Sequence, residues 1–356
     1  MGAERLRPRW GAVKGSRGGT RSFAPEGSRL GGISVRRAHF WCQKNNALAD
    51  VRGEGSRALQ QSQFSLASDG GDPSAVEALA AFVRRHPRLL VLTGAGISTE
   101  SGIPAYRDHS GAWTHSPPLQ LQEFLGSEQG RRRYWGRSLV GWPRVAAARP
   151  NPGHRALARL EAAGHVELLV TQNVDGLHGR AGSRAVVDLH GRLDTVSCLD
   201  CGLRLPRGEL QRSLATLNPE LPALAAVAAP DGDASVRDQD WSALQIPACQ
   251  GCGGILKPDV VFYGESVPAA RVERALAALA RADALLVAGS SLMVYSGFRF
   301  ARAAAQQGKP LAAVNLGRTR ADELLSLKLE APCGELLPAL ASHLRLPAAE
   351  SRSGLR

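Results

Sequence analysis

Three observations predict an α/β protein: a doubly wound parallel Rossmann-like sheet with a small zinc-binding module inserted in it. Short, wholly apolar stretches alternate with helical or loop patterns, as in a parallel sheet covered on both faces. The stretches end on Gly, Asn, Ser and His, and an open α/β sheet binds its ligand outside those carboxyl ends. The pattern breaks between Cys198 and Cys252, where a loop-rich stretch holding "NPELP" and "APDGD" separates two C-x-x-C pairs.

Residues 1–73 are rich in Gly, Ser and Arg and carry no sustained period. They read as a disordered leader, an organelle transit peptide, or the product of a start codon placed too early. Order begins at "DPSAVEALAAFVRRHP", where Asp72 or Ser74 can N-cap a helix with Val76, Leu79, Ala80 and Phe82 on its apolar face. Strands follow at "RLLVLTG" (88–94), "VELLVTQN" (166–173), "VVDLHG" (186–191), "DALLVAG" (283–289) and "LAAVN" (311–315). The folded body spans 74–340, the inserted module about 195–256, and 341–356 is a tail. No internal repeat is present.

The bulk numbers exclude some classes. Of the 356 residues 44% are hydrophobic and 21% charged, ordinary for a globular protein. No apolar run reaches the roughly 20 residues that span a bilayer, so no membrane partner is expected. The net charge of +12 owes +7 to residues 1–50, with ten Lys/Arg against three acids. The folded body therefore gives little ground for a nucleic-acid partner. Four of six cysteines form the two C-x-x-C pairs, and no clean secretory signal precedes them. Metal and a reducing compartment fit better than disulfides.

The cysteines are spaced C-x2-C-x47-C-x2-C, each pair followed by Gly. Such tight turns can close a tetrahedral site of Cys198, Cys201, Cys249 and Cys252 around one Zn2+. No catalytic base motif accompanies it, so the zinc is expected to be structural. In "LLVLTGAGISTESGIPAYRD" (89–108), Gly94 and Gly96 follow a buried strand and let backbone approach a phosphate. A dehydrogenase fingerprint would place its third glycine at Thr99; the next is Gly102. No acid follows about 20 residues on to hold a ribose, which demotes hydride transfer. "TQNVDGLH" (171–178) sets Gln172, Asn173 and Asp175 at a strand end, and His190 ends another, eight residues before Cys198. A histidine in such a cleft can act as a base near neutral pH.

Taken together, "GAGIS", "SGIPAYR", "TQNVD", "HG" before the cysteine pairs, "KPDVVFYGE", "GSSL" and "VN" resemble the sirtuins, the NAD-dependent protein deacylases. The likeness runs from about 85 to 340 in the family's order. "RYWGRSLVGWP" (133–143) and "CLDCG" resemble the branch holding mitochondrial sirtuin 4 and bacterial class II relatives. The resemblance implies a site for NAD as co-substrate. Gly94, Ala95, Gly96 and Ile97 would line it, with Ile103, Tyr106 and Arg107 on a mobile loop. Gln172, Asn173, Val174 and Asp175 would serve the ribose and nicotinamide pocket. Gly289, Ser290, Ser291, Asn315, Leu316, Gly317 and Cys333 would hold the adenosine side. His190 would be the catalytic base, and Val260, Val261 and Phe262 would flank an acyl-lysine peptide. Where the family commonly has Pro-Asp-Phe-Arg, this chain has Pro104-Ala105-Tyr106-Arg107.

The implied chemistry cleaves NAD. The acyl-lysine oxygen attacks the ribose carbon and expels nicotinamide; the base then draws a ribose hydroxyl onto the imidate, and water releases lysine and O-acyl-ADP-ribose. Tyr134 and Arg137 resemble a pair that accepts carboxylate-ended acyl groups; the alternative is a basic helix face with its aromatics packed inward. Runner-up functions are protein mono-ADP-ribosyl transfer and a non-catalytic zinc- and NAD-binding module. Ala/Arg/Gly-rich usage favours a bacterial cytoplasm, and the Arg-rich leader keeps the mitochondrial matrix as the alternative.

Overall fold

The computed structural model describes residues 65–67, 72–108, 110, 112–114, 118–221, 227–236 and 239–347. Most of the expected leader, Cys42 and the end of the tail lie outside these residues. The strands are β1 (Ser65–Ala67), β2 (Leu89–Thr93), β3 (Val166–Thr171), β4 (Val186–Asp188), β5 (Gly191–Cys198), β6 (Arg204–Pro206), β7 (Val227–Ala228), β8 (Ala234–Ser235), β9 (Leu256–Val260), β10 (Ala284–Ala288), β11 (Leu311–Val314) and β12 (Leu327–Glu330). The helices are α1 (Pro73–Arg85), α2 (Leu121–Gly126), α3 (Glu128–Ala147), α4 (Pro152–Ala162), α5 (Leu177–Arg180), α6 (Arg207–Leu217), α7 (Ala269–Arg281), α8 (Tyr295–Gln306) and α9 (Cys333–His343).

A seven-stranded sheet, all its pairs parallel, runs β1-β12-β11-β10-β2-β3-β4. All five expected strands are in it. Two more were not read from the sequence. β12 alternates apolar and charged residues, Leu-Lys-Leu-Glu, and its Lys328 bridges Asp322 and Glu330 at 3.0 Å each. β1 pairs with β12 at the edge, inside the stretch assigned to the leader.

Period-two alternation explains the double winding. Leu89 and Val91 pack with Leu79, Phe82, Leu157 and Leu336 of α1, α4 and α9. Leu90 and Leu92 pack on the opposite face with Leu279 and Phe300 of α7 and α8. Asp72 caps α1, accepting from Ser74 N at 2.8 Å. α9 runs to His343, three residues past the expected body.

From β2 the chain builds outward through β3 and β4, then returns on the other side of β2 with β10. This reversal of strand order splays the connections apart and opens a crevice at the carboxyl ends of β2 and β10. Outside the large sheet, β6-β5-β9 form an antiparallel sheet and β7-β8 a hairpin. Their core joins Leu193, Val196, Leu210, Leu214 and Trp241 to Phe124, Trp135 and Leu139 of α2 and α3. The small sheet thus spans 191–260, wider than the module read from the cysteines, and borrows helices that precede it.

Candidate active site

The crevice is a cavity of about 1140 Å³ at the carboxyl edge of the large sheet. After β2 the chain makes two single 3-10 turns, Ala95–Ile97 and Thr99–Ser101, instead of a long crossover helix. Gly96 N donates to Gly289 O at 2.8 Å. A Cβ on Gly96 would lie 2.9 Å from Gly289 Cα, and one on Gly289, whose φ is +64°, would lie 2.3 Å from Ile97 N. Besides leaving room for a phosphate, as expected from the sequence, the glycines let two strand ends close on each other.

A ladder of amides and hydroxyls stiffens this edge. Gln172 Nε2 donates to Ser290 Oγ at 2.7 Å. Asn173 Nδ2 donates to Gly94 O and Ser98 Oγ, both at 3.0 Å, and Ser98 donates to Asp175 Oδ2 at 2.8 Å. Asp175 also accepts from Leu177 N at 2.8 Å, closing the turn that leads into α5. Burial pushes its carboxyl above the usual range, against these hydrogen bonds.

His190 is fixed through backbone and ring. Its carbonyl accepts from Val261 N at 2.7 Å. Nδ1 lies 2.9 Å from Gln172 O and Nε2 lies 2.8 Å from Ser296 Oγ. A carbonyl can only accept, so Nδ1 carries the hydrogen and Nε2 the lone pair. Burial lowers the ring's pKa to about 4, opposed by the Gln172 hydrogen bond and helped by Arg271 and Arg299. The imidazole is therefore neutral at ordinary pH.

Facing this edge, Val260, Val261 and Phe262 line the same cavity. The turn after them is clamped by Lys257, whose buried ammonium reaches Glu265 at 2.9 Å and Val260 O at 2.5 Å. Tyr106 packs edge-on to Trp113 and Tyr263, ring centroids 6.1 and 6.4 Å away. Arg107 lies over Trp113, 3.9 Å from the ring centroid.

Most of the expected residues meet at this cavity. Gly94, Ala95, Gly96, Tyr106 and Arg107 line it, as do Gln172, Asn173, Val174 and His190. So do Gly289, Ser290, Ser291, Asn315, Leu316 and Cys333, with Tyr134 and Arg137. Four do not reach its wall. Ile97 is core under the sheet and Ile103 packs with the small-domain core. Asp175 stands behind Ser98. Gly317 contributes its carbonyl to Asn315 Nδ2, 3.4 Å away.

Residues 94–296 match the Sir2 family model. The chain is 58% identical to an NAD-dependent protein deacetylase of Bordetella bronchiseptica over 76% of this chain and 98% of that one. It is 48% identical to the NAD-dependent protein lipoamidase sirtuin-4, mitochondrial, of Bos taurus, over 76% and 86%. Among solved structures, a Sir2–p53 peptide–NAD+ complex matches with a TM-score of 0.62 at 28% identity, covering 76% of this chain and 98% of that one. The chain belongs to the Sir2 family.

In this sirtuin the four expected cysteines converge. Their Sγ atoms all lie within 4.8 Å of one another, Cys198–Cys252 at 3.5 Å and Cys201–Cys249 at 3.7 Å. Tetrahedral Zn–S bonds of about 2.3 Å require sulfur separations near 3.8 Å, so the donor set fits zinc. The two turns are alike: Gly202 N donates to Cys198 O at 3.1 Å and Gly253 N to Cys249 O at 2.8 Å, with both glycines left-handed.

The same loop-rich insert sends a second element, the turn at Pro230–Asp233, into the sirtuin cavity. Between β7 and β8, Asp231 accepts a hydrogen bond from Tyr106 Oη. Its φ is +54°, uncommon for a non-glycine residue. Burial raises its carboxyl to about 7, opposed by the Tyr106 bond. Asp233 pairs with Arg137 through Nε, at 2.8 Å, and through Nη2. The turn seats on α3 because Gly141 has no side chain: a Cβ there would lie 2.5 Å from both Gly232 O and Asp233 O. "PDG" marks a turn, but no local signal in "APDGD" points it at Tyr106.

Proposed function

We propose that this chain deacylates protein lysines with NAD as co-substrate and His190 as the base. The observation that carries the reading is the neutral His190 imidazole, its Nε2 lone pair set in a cavity shared by the Gly94–Gly96 turn and the Val260–Phe262 segment. NAD, when bound, supplies an electrophilic ribose carbon once nicotinamide leaves. The Gly94–Gly96 turn, Gln172, Asn173, Ser290 and Asn315 bind the dinucleotide. Val260, Val261 and Phe262 flank the acyl-lysine peptide. His190 takes up at Nε2 the proton that a ribose hydroxyl loses, and the freed oxygen closes on the imidate carbon. Tyr106 and Trp113 screen the reacting ribose from water. The zinc holds the small sheet and takes no part in the chemistry.

The acyl group we assign is neutral rather than carboxylate-ended. The Arg137 guanidinium already engages Asp233 with two donors, and Asp231 adds a further carboxyl beside Tyr106. A free acyl carboxylate would meet acids there. We assign the protein to the cytoplasm, supported by bacterial relatives at 58–60% identity; the bovine relative supports the mitochondrial matrix as the alternative. Among the described residues no helix is long and apolar enough to cross a membrane.

The test is nicotinamide release by the purified full chain from NAD, with acetyl, succinyl, glutaryl, lipoyl and long-chain acyl-lysine peptides. Release that depends on a neutral acyl class, and falls about 10²–10⁴-fold in His190→Ala, is the expected result. Label passed from NAD to protein without acyl-lysine would replace deacylation with ADP-ribosyl transfer.

A further inference from the structure

A neutral imidazole tied at one nitrogen is still free to rock about that hydrogen bond. In this site the second nitrogen is tied too. Ser296 Oγ lies 2.8 Å from His190 Nε2, opposite the 2.9 Å bond from Nδ1 to Gln172 O. Because Nδ1 holds the ring hydrogen, Ser296 is the donor in this pair. Two hydrogen bonds at opposite ends of the ring define its rotation as well as its tautomer.

The serine is itself well placed. It is the second residue of α8, half-buried, and lines the cavity. A serine at a helix start commonly caps the helix, but α8 follows Val294 with no side-chain cap, and this hydroxyl turns to the imidazole instead. The start of α8 is packed against the residue that holds the other end of the ring. A Cβ on Gly297 would lie 2.3 Å from Gln172 Oε1. Gln172, His190 and Ser296 therefore form one packed cluster. Arg299, one turn further along α8, lines the same cavity and bears on the His190 charge together with Arg271 of α7.

Resting on the reading of His190 as the base, we propose that Ser296 carries the proton between the ribose and that base: its hydroxyl, already donating to Nε2, takes up the ribose proton as it passes its own to the imidazole. The balance is simple. The ribose hydroxyl loses its proton to Ser296 Oγ, the Ser296 proton moves to Nε2, and the ribose oxygen forms the bond to the imidate carbon. Ser296 ends with the one proton it began with. Its hydroxyl donates to Nε2 while the ring is neutral and presents its lone pairs once the ring is charged. Alanine can do neither.

The experiment uses the full chain with NAD and an acetyl-lysine peptide, comparing wild type, Ser296→Ala, Ser296→Thr and His190→Ala. It reads kcat, both KM values and the exchange of labelled nicotinamide into NAD. Exchange reports formation and reversal of the imidate, steps that precede the work of the base. Ser296→Ala is expected to lose about tenfold in kcat, the scale of one hydrogen bond. KM for NAD and peptide should stay within about twofold and exchange should persist, while Ser296→Thr, which keeps the hydroxyl, regains most of the rate. Wild-type kcat in Ser296→Ala, with His190→Ala inactive, overturns the proposal and leaves the base reading standing. Loss of exchange with a raised KM for NAD in Ser296→Ala would also overturn it, giving Ser296 to cofactor binding. Deacylation by His190→Ala at the wild-type rate would instead fail the base reading, and this proposal with it.

Discussion

The cavity has two walls built on different physics. One is the carboxyl edge of the large sheet, where Gln172 and Asn173 leave a buried strand and donate to Thr93 O and Gly94 O of the adjoining strand end and turn, and Thr171 Oγ1 accepts from Asn173 N. The other is the turn at Pro230–Asp233, which starts 29 residues past Cys201 in a loop-rich insert and sets Asp231 and Asp233 against Tyr106 and Arg137. The first wall is held by ladder bonds and apolar burial. The second is held by charge, a left-handed aspartate and a glycine seat on α3. Local chemistry is enough to place the first, whereas the second depends on long-range packing.

The largest way to separate the walls is to remove the metal. Chelation or Cys198→Ser should take bound zinc from one per chain to none and cost the small sheet on the order of 10 kcal/mol. Proteolysis should then cut within 191–260 while the large sheet survives. A zinc-free chain that keeps wild-type protease resistance would mean that the insert is held by its apolar core alone. Gly96→Ala tests the first wall in the same way. Its Cβ would crowd Gly289 Cα at 2.9 Å, so the strand ends must part, at a cost of about 1–3 kcal/mol. Calorimetry should show the lower melting temperature, and titration a weaker Kd for NAD.

Asp231→Asn tests the second wall by pH. The carboxyl is raised from 3.8 to about 7 in the fold, so between those values the folded chain binds the extra proton. Its contribution is present at low pH and lost as pH rises through about 7. Asparagine keeps the left-handed backbone and removes the charge. Asp231→Asn should therefore raise the melting temperature by about 2–4 °C at pH 8 and little at pH 5. An equal change at both pH values would show that the aspartate does not titrate in this range. The smallest effect is expected from Arg137→Met. With Arg137 already paired to Asp233, acetyl and succinyl peptides should change together, within a few-fold. A selective loss on succinyl-lysine would restore the carboxylate-binding reading of Tyr134 and Arg137.

Much of this molecule was legible in one dimension. Strands such as Leu89–Thr93 and Ala284–Ala288 are buried on both faces, and a doubly covered strand must be written in apolar residues wherever it sits. β12 escaped because it lies near the sheet's edge, where Lys328 and Glu330 tolerate partial exposure and interrupt the apolar run. The zinc ligands were legible because each pair is a local turn closed by its own glycine. His190 stood out as a strand-end histidine, and its neutral tautomer follows from one backbone carbonyl. Tertiary structure alone decided what Arg137, Asp231 and Ser296 meet. Each is hydrogen-bonded to a partner 96, 125 or 106 positions away. A short sequence window records a residue's chemistry and its local turn; which charge or lone pair it finally meets is set by packing between distant elements.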